Sequence, residues 1–191
     1  MAKTDPDAAK RERRKTIRWV VTVFFVTIVI SGVISLISDE VMEGSSLAVA
    51  FLILLAIVFV GIIFDVVGMA VASADEKPFH SMAAKKVPGA QEAIRLLRNA
   101  ERVSSICCDV VGDICGVVSG SASAPIAALI LTNVEVGWPR GISLVMSALV
   151  AGLTVGGKAI GKTFAVNSCT EIVHLVGRVI HSQNGLRGKK K

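Results

Sequence analysis

Two carboxylates four residues apart, Asp109 and Asp113, lie in the run Val103–Ala124, V-S-S-I-C-C-D-V-V-G-D-I-C-G-V-V-S-G-S-A-S-A. On an α-helix, residues at that spacing stack on one face. Gly112, Gly116 and Gly120 repeat at the same interval on a neighbouring strip. A third acid, Asp65, sits in F-D-V-V-G-M-A-V-A-S, and Lys158 and Lys162 close a later apolar run. Cations such as Mg²⁺ and Na⁺ prefer oxygen ligands. Asp109 and Asp113, with Ser104, Ser105 and carbonyls freed near a helix break, have the chemistry of a metal site for such an ion. The same acids also suit a second arrangement, pairing with Lys158 or Arg102. A carboxylate left unpaired at the centre of a membrane helix costs ~2.5–3.5 kcal/mol on insertion scales, so neutralisation is expected in either case.

Other strings carry weaker signals. Gly156–Thr163, G-G-K-A-I-G-K-T, matches the phosphate-loop pattern letter for letter. That chemistry needs a strand before the loop and a helix after it. An apolar span precedes it here, so no nucleotide is expected. His174 and His181 lie seven residues apart, on what reads as the polar face of a helix. Cys107, Cys108, Cys115 and Cys169 read as reduced, mostly buried thiols. No constellation for nucleophilic or metal-assisted catalysis is present, so no enzymatic activity is expected.

The elements that must position these residues follow from hydropathy. The chain is 52% hydrophobic and 19% charged. Its charges gather in a few segments, leaving charge-free cores at Trp19–Ser38, Gly44–Phe64, Ile114–Val134 and Gly141–Gly157. A bilayer core needs ~20 apolar residues. A chain of this size cannot surround four helices that lack a polar face, so buried soluble helices are excluded. The expected fold is an all-α polytopic integral membrane protein. Its spans are placed at about 17–38, 45–74, 103–133 and 141–157. The third is too long for one straight span and is expected to break near Pro125. Two amphipathic interfacial helices are expected at about 89–102 and 163–182. The second should set Phe164, Cys169, Ile172, Val173, Val176 and Ile180 against Asn167, Glu171, His174, Arg178 and His181. Residues 75–88 read as a loop. Residues 17–182 form a single transmembrane domain between a basic segment, 1–16, and a basic tail, 183–191.

The net charge of +6 invites a nucleic-acid partner, but its distribution argues against one. Residues 1–18 carry seven Lys/Arg, residues 75–102 carry six and residues 158–191 carry seven. Four spans put all of these on one side. The positive-inside rule makes that side cytoplasmic, with both termini inside. A cell (inner) membrane location follows, with the lipid bilayer as partner and no nucleic acid.

From Phe64 onward the order of features resembles the transmembrane domain of the CorC/CNNM (CorB-like) magnesium-transporter family. The family's F-S-G-S-E-T-A-L-F-S resembles Phe64–Ser73, with Phe64, Ala70 and Ser73 in place. Its D-R-L-L-S-T-I-L-I-G-N-N resembles the stretch opening Glu101-Arg102-Val103-Ser104-Ser105-Ile106, and its G-E-I-T-P-K-T-L-A resembles Gly157–Ala165, with Gly157 and Lys162 in place. The resemblance covers about residues 45–182 and implies a Mg²⁺-type transporter and a homodimer. The family's cation ligands fall on other residues here: Val67 and Gly68, Val111 and Gly112, Lys158, and Gly161. A Lys at a ligating position repels Mg²⁺ and stands where the cation would. The expected function is therefore a divalent-cation transporter or a divergent relative, using Asp109, Asp113, Asp65 and Ser105. The alternative is a non-transporting scaffold or regulator whose Asp/Lys cluster is structural.

Overall fold

The computed structural model describes residues 6–42, 46–133 and 139–188. The expected basic segment and tail lie partly outside these residues, as does the turn before Pro139. Among the described residues the regular secondary structure is all helical, without strands. The helices are α1 (Pro6–Met42), α2 (Leu47–Ser73), α3 (Lys77–Ala84), α4 (Ala90–Leu97) and α5 (Ala100–Ser105). A π-helical stretch, Ile106–Gly112, runs directly into α6 (Asp113–Asn133), followed by α7 (Pro139–Asn167) and α8 (Cys169–Gly188). Four helical segments are long and apolar enough to cross a membrane: Thr16–Ile37, Leu47–Ser73, Ala100–Leu131 and Arg140–Asn167.

Helix α2 is the centre of the molecule. It packs against α7, α6, the π stretch, α5 and α8, whereas α1 lies outside and rests chiefly on α6. At one end of α2, Ala50 and Leu54 meet Ala122, Ile126 and Ala127 of α6 and Met146 and Val150 of α7. At the other end, Ala70 and Val71 meet Phe79 of α3, Ala93 and Leu97 of α4, Ala165 of α7 and Val173 of α8. Outward-facing side chains are large and apolar, among them Phe24, Phe25, Leu52, Phe59, Leu144 and Ile160.

Several boundaries differ from the sequence reading. Pro125 lies inside an unbroken α6, so the break expected there is absent. Proline removes one helical N–H, a loss that neighbouring helices offset inside a bundle. Here Ile126 and Ala127, just past it, are clamped in the core shared with α2 and α7. The irregular backbone falls earlier, at the π stretch. Helix α7 runs ten residues past the expected end of the fourth span, to Asn167. Gly156–Thr163 is therefore helix interior, its backbone amides turned along the helix rather than exposed in a loop. Phe164 belongs to α7 and points outward, not to the apolar face of α8. The segment expected as one helix over 89–102 is two, α4 and α5, separated at Arg98 and Asn99. The expected loop at 75–88 contains α3, which starts with Pro78 in its first turn. Proline is well suited there because that N–H has no helical partner.

Helices α4 and α8 pack together through their backbones. Gly89, at φ +87°, and Gly177 face each other closely, and a Cβ on either would overlap the other segment. Beside them His181 Nδ1 donates to Glu92 Oε1 at 3.0 Å. That hydrogen bond holds the Glu92 carboxyl below its ordinary value, against the opposing effect of burial.

Candidate functional site

The polar centre of the bundle is built on Asp65. Helix α2 presents this acid between Gly61, one turn earlier, and Gly68, one turn later. A Cβ at Gly61 would lie 2.8 Å from Cys115 Cβ, and one at Gly68 would lie 2.5 Å from Cys108 Sγ. The missing side chains let the π stretch and the start of α6 lie directly on α2. Cys108 Sγ then donates to the Asp65 backbone carbonyl at 3.7 Å. Gly112 completes the approach, because a Cβ there would sit 2.5 Å from Asp65 Oδ1. On the other side, Gly157 and Gly161 of α7 lie against Ile62 and Val66 of α2.

Between those last two glycines, Lys158 reaches the same point. Its Nζ donates to the Gly112 carbonyl at 3.0 Å. It also lies 3.5 Å from Asp113 Oδ1 and 3.6 Å from Asp65 Oδ2. Three acceptors thus face an ammonium that has three hydrogens. Side-chain exposure is 3% for Asp65, 17% for Lys158 and 71% for Asp113. Asp65 is a buried charge that needs a partner, and Lys158 is that partner. Asp113 joins from the open side.

The structure therefore divides the acids that the sequence reading put together. Asp109 does not share a site with Asp113. It accepts a 2.8 Å hydrogen bond from Ser105 Oγ and lines a separate cavity of about 660 Å³. Thr16, Trp19, Ala72, Glu101, Arg102, Ser104 and Ser105 complete that cavity, with the Arg102 guanidinium 5.9 Å from the Trp19 ring centroid. The reason is local. Stacking at a four-residue interval assumes the α-helical turn, and Asp109 lies in the π stretch. Bonding from i to i+5 widens each turn, so a four-residue step no longer returns to the same face. Lys162 is exposed on α7, outside the cluster. Among the described residues, no group of three or more His, Cys, Asp or Glu is placed to hold one metal ion.

Beyond Asp113 the space between α6 and α7 opens into a groove of about 460 Å³. Gly116 and Gly120 line it, and a Cβ added at either meets nothing within 4 Å. The sequence reading grouped these glycines with Gly112 as one seam, but only Gly112 is in close contact. The roles of Gly61 and Cys108 were missed. The signal for the first was its placement four residues before Asp65, with Gly68 three residues after. Nothing local marks Cys108 as a partner of the Asp65 backbone. Gly152 and Gly156 of α7, four residues apart, likewise face open space. No family model, curated protein or solved structure matches this chain.

Proposed function

We propose that this chain is a multi-pass membrane protein that acts as a non-transporting scaffold or regulatory subunit, with Asp65, Lys158 and Asp113 as its structural ion cluster. The observation that carries the reading is the position of Lys158 Nζ, within 3.6 Å of both carboxylates and bonded to the Gly112 carbonyl. The amine fills the space between the two carboxylates, and a tethered ammonium does not leave. Membrane insertion is supported by the four long apolar helices and by their large outward-facing side chains. The charge asymmetry supports both termini in the cytoplasm of a cell whose inner membrane holds the protein.

A second reading, a divalent-cation transporter of the Mg²⁺ type, is favoured by the cavity beside Asp109. Glu101, Ser104, Ser105 and Asp109 offer oxygen atoms there, the ligand type that Mg²⁺ and Na⁺ take. Flux through liposomes separates the two. Wild type, Asp113→Asn, Asp109→Asn and Lys158→Ala are compared for Mg²⁺ and Na⁺ uptake. The scaffold reading expects no uptake above empty liposomes in any of them, with Lys158→Ala destabilised. Saturable wild-type uptake abolished by Asp109→Asn would replace it with the transporter reading.

A further inference from the structure

The groove between α6 and α7 has one charged end and otherwise satisfied walls. Its hydroxyls are turned inward on their own bundle. Ser119 Oγ donates to the Gly116 carbonyl at 3.0 Å, and Thr154 Oγ1 donates to the Val150 carbonyl at 2.8 Å. Ser147 Oγ is shared with Ser123 Oγ at 3.0 Å. Along its length the groove thus offers an occupant mainly apolar contact, from Val117, Val150 and Val155. At its end the balance is two carboxylates, Asp65 and Asp113, against the one ammonium of Lys158. Lys158 already faces three acceptors, so it has no hydrogen left for an incoming anion. The Asp113 side chain is exposed and lines the groove. A volume of about 460 Å³ suits a small ligand or an alkyl chain with a head group.

We propose that this groove binds an amphipathic ammonium ion, with its cationic head on Asp113 and its apolar tail along Gly116 and Gly120. An anionic amphiphile is disfavoured by the net negative charge of two carboxylates against one ammonium, and a neutral one leaves that charge uncompensated. The inference goes beyond the scaffold reading and does not rest on it, since flux tests one and binding tests the other.

The test uses the full chain in neutral-detergent micelles, titrated with decylammonium, decanol and decanoate while the unfolding temperature is followed. Decylammonium should raise that temperature saturably, and the other two should not. Gly120→Leu fills open space, so it should fold at least as stably as wild type yet bind decylammonium at least about tenfold more weakly. Asp113→Asn should weaken binding similarly, and Gly116→Val serves as the fold-neutral check should Asp113→Asn fail to fold. Equal stabilisation by decanol would overturn the proposal in favour of a plain acyl groove. Stabilisation by decanoate, or undiminished amine binding by Gly120→Leu, would also overturn it. So would a wild-type dimer that is insensitive to amine and becomes a monomer in Gly120→Leu, since a second copy would then fill the groove.

Discussion

Two stretches of glycine lie within a few turns of each other, and they behave oppositely. Around Asp65, the glycines at 61, 68 and 112 are contact surfaces, where a methyl group would strike a cysteine or the carboxylate itself. One turn further along α6, the glycines at 116 and 120 touch nothing, and the helices part into a groove. The difference teaches that glycine in a membrane-type helix has two uses. It permits backbone contact where a buried polar group must be reached, and it leaves an open groove where two helices part. The closed stretch holds Asp65 away from solvent with Lys158 as its partner. The open stretch begins at Asp113, the cluster member that remains exposed.

The largest expected effect tests the closed side. Lys158→Ala leaves the Asp65 carboxylate buried without its cation, which typically costs about 3–5 kcal/mol. Unfolding in detergent should show that loss, and the double variant Asp65→Asn with Lys158→Met should recover much of it. If Lys158→Ala unfolds like wild type, the cluster is not what joins α2 to α7. Next in size is overpacking. Gly68→Ala and Gly112→Ala should each destabilise by about 1–3 kcal/mol, because the added carbon meets Cys108 Sγ or Asp65 Oδ1 at 2.5 Å. Their counterparts on the open side, Gly116→Ala and Gly120→Ala, should instead gain roughly 0.5–1 kcal/mol from reduced backbone freedom. Equal losses at all four positions would erase the contrast.

The smallest effect lies outside the cluster, at the junction of α4 and α8. Glu92 has a lowered pKa through its hydrogen bond with His181. Its contribution is therefore fully present above the ordinary value of 4.5 and is lost as pH falls through the depressed folded value. Glu92→Gln should be less stable than wild type near neutrality, and the gap should close in acid. A gap that widens in acid would show that the Glu92 carboxylate does not carry this contact.

Part of the candidate site is readable from residue types alone. Asp65, Asp113 and Lys158 are ionisable groups in or beside apolar runs, and such groups demand partners wherever they fall. Their pairing was one of two open alternatives, because sequence spacing cannot say whether a lysine 45 residues beyond Asp113 returns to it. The separation of Asp109 from Asp113 has a different reason. The apparent stacking of Asp109 on Asp113 rests on the α-helical period, and no residue between Ile106 and Gly112 announces a π turn. The two short helices α4 and α5 were merged because Arg98-Asn99 carries neither proline nor glycine to mark a stop.

By itself the amino-acid sequence determined the four long apolar helices, their approximate positions and the gathering of basic residues. Those properties depend on length and side-chain transfer energy, which are local and additive. Tertiary structure alone decided which acids meet Lys158, which glycines are in contact and which open, and that Asp109 and Asp113 line separate cavities. Those outcomes depend on helix phase and on the distance between backbones. One extra residue in a turn, or one methyl group at a crossing, changes both without altering the hydropathy of the chain.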